Sequence, residues 1–371
     1  MRPCLCTHEF PPFHGGVGIA NYEMAKAAAA LGFDPLVLAP NYGAEPVDRG
    51  RLFEVRRWRG NGRLSPWGRW QTARALRQWR QEAPQDFLWL ASYGAIEAAL
   101  TLTRLGWRPE PFGICLAGSE VLKLEKRWWL RSQAQLLFKR ADRVAITTQF
   151  VRQLLHQSRF NRLTHQVVTT PLALRTDMPA PVKVERDDDR FVVLTLARLH
   201  PRKGQLETAR ALATLPADLK QRLVYRVAGK GDDGYLEKVR LLCQAYGVPF
   251  ESIGPVPDSD LARVYGACDL YCMTSVTLPE SVEGFGMTFL EAGFYGKPSV
   301  GWRSGGIAEA VRHGTTGLLA DEKDVDEVGR LIASLMRDPH HLQQLGEAAA
   351  KHARATSWDA AARTLALRPE A

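Results

Sequence analysis

An α/β protein built as two Rossmann-like domains facing across a cleft is the fold class that these 371 residues predict. Three observations predict it. Short β-branched and apolar runs alternate with helix-length segments along nearly the whole chain, which is the pattern of βαβ units and parallel sheets. The length suits two domains of ordinary size. A stretch rich in proline and charge, 171–190, interrupts the alternation near the middle with the composition of an interdomain linker.

In the first half the strands fall at 3–7, 35–39, 52–58, 87–92, 112–116, 143–147 and 166–169. In the second half they fall at 191–196, 223–228, 250–253, 270–273, 298–301 and 317–320. After the first strand, Ile19, Tyr22, Ala27 and Leu31 mark one apolar helix face that stops at Gly32. The domains predicted are 1–172 and 191–355, joined by the linker 173–190. An amphipathic helix at 356–371, around Trp358, crosses back to the first domain.

Composition removes several classes. No apolar run reaches the roughly 18 residues of a membrane span. The opening MRPCLCTHEFPPFHGG lacks a basic stretch leading into an apolar core, so no signal peptide is expected. The six cysteines match no common zinc spacing and read as buried thiols in a reducing cytosol.

The net charge of +9 is unevenly placed. Residues 1–175 hold 25 Lys and Arg against 13 Asp and Glu, a net of +12, and the remainder nets −3. Between 49 and 80 stand ten arginines, one acid (Glu54), and Trp58, Trp67, Trp70 and Trp79. A second basic-aromatic cluster is Lys123, Lys126, Arg127, Trp128, Trp129 and Arg131. Nucleic acid, an anionic membrane surface and plain solvent compete as the partner of this half. Arginine beside tryptophan is the chemistry of an anionic lipid surface.

In doubly wound sheets ligands bind beyond the carboxyl ends of strands, so the loops there carry the chemistry. The first is Phe13-His14-Gly15-Gly16-Val17-Gly18, where glycines ahead of a helix let amides approach an anion. It is not the dinucleotide fingerprint, and no acid follows about 20 residues on, which disfavours an NAD enzyme. The second runs from Arg198 through Arg202 to Lys203-Gly204, where Arg198 and Lys203 suit a diphosphate held by a fork and a point charge. Gly229-Lys230-Gly231 allows close approach of a base or ribose. In Glu283-Gly284-Phe285-Gly286-Met287 through Glu291, two glutamates flank a turn whose amides can bind an anion or a sugar hydroxyl. Glu291, among apolar neighbours, must find donors, and ribose hydroxyls would supply them. A fourth turn, Ser304-Gly305-Gly306, completes the set.

GGVG, ARLHPRKG, AGKG, EGFGMTFLEA and SGGIAEAVRHGTTGLL stand in an order that resembles the retaining nucleotide-sugar glycosyltransferases of the GT-B fold, of the family-four type. The resemblance implies hexose transfer from a UDP- or GDP-sugar to an acceptor hydroxyl. Arg198 and Lys203 would hold the donor diphosphate, helped by the Gly15 and Gly16 amides. Glu291 would take the ribose, Glu283 would face the donor sugar, and the amides from Gly284 to Met287 would orient its hydroxyls. It implies no metal and no cofactor beyond the donor. The chain departs from the pattern at Ala117, where relatives often carry a histidine; His14 is the substitute the sequence offers. The first domain would supply the acceptor site, and its basic clusters point to a lipid-linked or membrane glycan acceptor, placing the protein in the cytoplasm on the inner membrane face. Nucleic acid leaves the nucleotide-sugar motifs unexplained. A soluble acceptor, or a silent nucleotide-sugar-binding subunit, are the alternatives that Ala117 and the donor motifs leave open.

Overall fold

The computed structural model describes residues 2–13, 15–43, 48, 50–161, 167–186 and 189–366. Two compact units result, one of Met1–Leu172 with Ser357–Ala371, the other of Ala173–Thr356. Among the described residues thirteen strands form two sheets, each wholly parallel.

The first sheet has the order β3-β2-β1-β4-β5-β6-β7, with β1 Pro3–Cys6, β2 Leu36–Pro40, β3 Glu54–Trp58, β4 Phe87–Leu90, β5 Phe112–Leu116, β6 Arg143–Ile146 and β7 Val167–Thr169. Strands 1, 2, 4 and 6 are buried along their whole length, because helices cover both faces. That is why they read as continuous apolar runs. At the edge, β3 carries Glu54, Arg56 and Arg57, and charge on an edge strand discourages pairing with another chain. The apolar run 52–58 starts earlier than β3 because Phe53 leaves the ladder to pack on Phe10 and Tyr22. Gln166, the first residue of the strand expected at 166–169, lies outside the described residues.

The helix Tyr93–Arg104 is buried on nearly every face, because the helices Pro66–Glu82 and Arg131–Arg140 flank it. Ser65 caps the helix Pro66–Glu82 by accepting from the Gly68 amide at 3.1 Å, and Pro66 sits at its first position, where no amide is missed. The C-terminal helix Asp359–Ala366 packs on the helix Gly16–Ala30, burying Ala361, Ala362 and Leu365. The indole of the fully buried Trp89 donates to the Leu365 carbonyl at 3.0 Å, which ties the chain end to the middle of the sheet.

The second sheet has the order β10-β9-β8-β11-β12-β13, with β8 Phe191–Leu196, β9 Leu223–Ala228, β10 Phe250–Gly254, β11 Leu270–Met273, β12 Ser299–Trp302 and β13 Gly317–Ala320. The segment leading into it lies along this unit. Arg175 pairs with Asp177 and Asp258, and the Tyr295 hydroxyl donates to the Pro179 carbonyl. In both sheets the chain winds outward from a central strand and then returns to the opposite side. The order therefore reverses between β1 and β4 and between β8 and β11, and loops leaving adjacent strands diverge there to open a crevice.

Candidate functional site

Four strand-end loops of the second unit interlock at the carboxyl edge of its sheet. The loop after β8 ends at Gly204, whose φ of +71° is left-handed; a Cβ there would lie 1.8 Å from the Thr274 carbonyl oxygen. Only glycine permits that approach, and it brings the β8 loop against the loop after β11. After β9, Gly229 at φ +142° sits equally close to the Ala197 carbonyl, and Gly231 bridges Leu199. After β12, Gly305 lies against the Glu283 carbonyl, which accepts from the Gly306 amide at 2.9 Å.

Glu283 is at the centre. One oxygen of its carboxylate accepts from Lys203 Nζ at 2.5 Å and Arg202 Nη1 at 2.7 Å, with the Ser275 hydroxyl at 3.4 Å. Burial pushes this carboxyl up, but the charges and hydrogen bonds of Lys203 and Arg202 outweigh it and bring its pKa down to about 2. Burial also pulls Lys203 below its usual value, against the attraction of Glu283 and with the help of Arg202 and Arg198. The pair is best described from the carboxylate, an ionised group shared by two cations. The Val276 amide donates to the Arg202 carbonyl at 2.8 Å, fixing the backbone between the two loops.

The residues expected here are distributed as follows. Lys203 and Glu283 meet. Arg198 does not join them: its side chain is exposed and, among the described residues, has no ion-pair or hydrogen-bond partner. Arg202, which the sequence pattern did not single out, takes that position. Its signal was adjacency to Lys203 in a turn opened by Pro201. Gly284 and Met287 are half-buried, and Phe285 and Gly286 buried, around the start of the helix Met287–Phe294, whose first-turn amides have no partners within the helix. Glu291 lies 6% exposed in that helix and accepts from the Tyr265 hydroxyl at 3.0 Å. Burial raises its pKa, against the pull of Arg175. Tyr265 is a second residue that sequence reasoning passed over.

In the first unit Gly15 is the N-cap of the helix Gly16–Ala30, and Gly16 opens it. His14 lies outside the described residues. Ala117 donates its amide to Glu120 at 2.9 Å at the start of the helix Ser119–Lys126. In the helix Tyr93–Arg104, which follows β4, the buried Glu97 accepts from Arg127 and from the Tyr93 hydroxyl, with Arg69 at 3.5 Å. Lys123 and Arg127 both lie over the Tyr93 ring, 4.7 and 5.3 Å from its centroid. One carboxylate thus faces two arginines, with Lys123 on the neighbouring ring.

The basic stretch 49–80 is partly neutralised. Arg51 and Arg57 pair with Asp48, and Arg56 with Glu54 and Glu82, so acids just beyond the stretch supply partners. Trp79 is core at 2% exposure, whereas Trp67, Trp70, Trp128 and Trp129 stand exposed. No described helix is long and apolar enough to cross a membrane.

Comparison with known proteins bears on this geometry. The family model "Glycosyl transferases group 1" matches residues 179–352, and "Glycosyltransferase Family 4" matches 14–171. A GDP-mannose-dependent alpha-(1-6)-phosphatidylinositol monomannoside mannosyltransferase of Mycolicibacterium smegmatis is 33% identical over 174 residues, 46% of this chain and 44% of that protein. A D-inositol 3-phosphate glycosyltransferase of Thermobispora bispora is 32% identical over 244 residues, 61% and 55% of the two chains. The chain thus spans about half the length of the curated relatives it matches. Two solved structures share the fold along almost the whole chain. Sucrose-phosphate synthase from Thermosynechococcus elongatus gives a TM-score of 0.78 at 17% identity, covering 99% and 98% of the chains. Anabaena HepE in complex with UDP and glucose gives 0.74 at 19%, covering 98% of each.

Proposed function

The chain belongs to the two-domain glycosyltransferases, its first half matching the family 4 model and its second the group 1 model, and we propose on that premise that it moves a hexose from a UDP- or GDP-sugar to an acceptor hydroxyl with retention at the anomeric carbon. The observation that carries this is the largely buried Lys203–Arg202–Glu283 group, held by four interlocked strand-end loops at the carboxyl edge of β8 and β11.

In the reaction the bond from the anomeric carbon to the donor phosphate breaks and its electron pair stays on the departing diphosphate. That growing charge calls for fixed cations, and Lys203, Arg202 and the exposed Arg198 supply them. An arriving diphosphate competes with Glu283 for Lys203 and Arg202, so donor binding frees the carboxylate to face the oxocarbenium-like centre. The acceptor oxygen then bonds to the anomeric carbon on the face the phosphate leaves, and its proton passes to the phosphate. Attack by Glu283 as a covalent nucleophile gives the same stereochemistry. Because these cations do the electrostatic work, turnover is expected to need no divalent metal, and a chelator should leave the rate unchanged.

The acceptor is read as a membrane-associated glycan or glycolipid precursor carrying an anionic group. The two arginines on Glu97, with Lys123 over the adjoining Tyr93 ring, support the anion, as does the inositol 3-phosphate for which the Thermobispora bispora relative is named. The exposed Trp128 and Trp129 beside the exposed Lys126 and Arg131 support an anionic lipid surface, each basic residue contributing about 1 kcal/mol. Incubation with a panel of UDP- and GDP-sugars, followed by proton NMR of the anomeric coupling in the product, tests the proposal. Inversion, or no turnover of any donor, would overturn it.

A further inference from the structure

A separate cavity of about 440 Å³ opens past the carboxyl ends of β2 and β3, a volume within the range of about 300–1,000 Å³ usual for small-molecule sites. It is lined by Asn41, Arg59, Asn61, Ser65, Trp67 and Gln71, with Gly43 and Gly60 between them. In the strand order β3-β2-β1-β4 this places it on the far side of β1 from the β1/β4 crevice, and its Arg59 and Trp67 come from the basic-aromatic stretch 49–80 and not from the glycine-turn motifs.

Its polar lining is biased toward donors. The Asn41 side-chain oxygen accepts from the Gly43 and Gly60 amides at 3.2 and 3.1 Å, and that of Asn61 accepts from the Arg63 amide at 3.0 Å. Backbone N–H groups can only donate, so both side-chain amides are fixed with their oxygens occupied and their NH₂ groups left over. The Arg59 guanidinium is exposed and, among the described residues, has no carboxylate partner. Ser65 is already occupied as a helix cap. Among the described residues no acidic side chain lines the cavity. A ligand that satisfies these groups must be rich in acceptors and tolerates negative charge.

The remaining wall is aromatic. Trp67 is 63% exposed and is held in place by stacking on Trp70, centroids 4.7 Å apart and rings 16° from parallel, with Arg74 over Trp70 at 5.7 Å. A fixed indole beside a set of hydrogen-bond donors matches a pyranose ring, whose C–H face is apolar while its oxygens are polar.

We infer that this cavity is a subsite for a pyranose bearing an anionic group, a hexuronic acid or a sugar phosphate, belonging to a part of the acceptor remote from the reacting hydroxyl. The inference rests on the glycan-acceptor reading above. Saturation-transfer NMR on the full chain tests it, with glucuronic acid and mannose 6-phosphate as probes and mannose and inorganic phosphate as controls. Ring-proton saturation with at least one anionic pyranose is expected, and which probe responds tells a carboxylate from a phosphate. Trp67→Ala and Arg59→Gln should each weaken that binding about tenfold. Equal binding of mannose, equal binding of phosphate alone, or unchanged affinity in both variants would overturn it. Donor hydrolysis by the unsubstituted protein, measured alongside, separates the two readings. Hydrolysis without pyranose binding defeats the subsite alone, and pyranose binding without hydrolysis defeats the catalytic reading alone.

Discussion

Replacing Glu283 by glutamine removes one charge from a site that holds two largely buried cations, and the consequence should depend on pH in a defined direction. Burial alone would raise this carboxyl, yet Lys203 and Arg202 lower it from 4.5 to about 2. At about 1.36 kcal/mol per pH unit, that difference corresponds to about 3 kcal/mol of folded-state preference for the ionised form. The side chain is only 12% exposed, so solvent screens little of it. Because the folded value lies below the unfolded one, the stabilisation is fully present above pH 4.5 and is lost as pH falls from 4.5 toward 2. Glu283→Gln should therefore destabilise the second unit by about 3 kcal/mol near neutral pH, where Lys203 and Arg202 are left facing each other without a counter-charge. The penalty should shrink toward zero near pH 2. Hydrogen exchange of amides in β8 and β11, followed by mass spectrometry at pH 6 and pH 3, reports this unit separately from the other. A wild-type-minus-variant difference that is the same at both pH values would refute the argument that an ionised Glu283 is what the two cations hold.

Three further outcomes are expected. Gly204→Ala places a Cβ 1.8 Å from the Thr274 carbonyl at a left-handed φ, so it should cost about 2–4 kcal/mol in the same exchange measurement and abolish transfer by shifting Lys203. The six thiols should be inert to Ellman's reagent at pH 8 until denaturant is added. Burial raises Cys4 and Cys6 far above their usual range and takes Cys115, Cys243, Cys268 and Cys272 to about 12, which leaves about one thiolate in ten thousand at that pH. Flotation with vesicles containing anionic lipid should recover the protein at low salt and lose it at about 0.5 M salt, where screening is nearly complete, and Lys126→Glu with Arg131→Glu should reduce recovery at low salt as well.

The strands were legible because a parallel strand buried on both faces is a continuous apolar run, as in Leu36–Pro40 and Phe191–Leu196. The Glu283–Glu291 segment and the turn ending at Lys203-Gly204 were legible for a related reason. Glycine where the backbone must turn left-handed, followed by a helix, is a local demand written in consecutive residues. Even so, Phe53 looked like strand and is packing, since an apolar residue carries the same pattern whether it pairs in a ladder or caps a core.

Identity along the chain and contact across it are different kinds of information. Arg198 and Arg202 have the same charge and occupy one loop, yet only Arg202 reaches Glu283, because the backbone between β8 and Gly204 sets which way each side chain leaves. Glu97 gathers Arg69 and Arg127 from about 30 residues away on either side, and Tyr265 satisfies Glu291 from 26 residues before it. Asn41 and Asn61 wall one cavity from separate loops. Element type, domain class and the presence of a sheet edge built of glycine turns follow from patterns within a few residues. Which charges are neutralised, which remain bare and which cavity they line follow from distances that exist only after the sheets have assembled, since electrostatic and hydrogen-bond energies depend on separation in space.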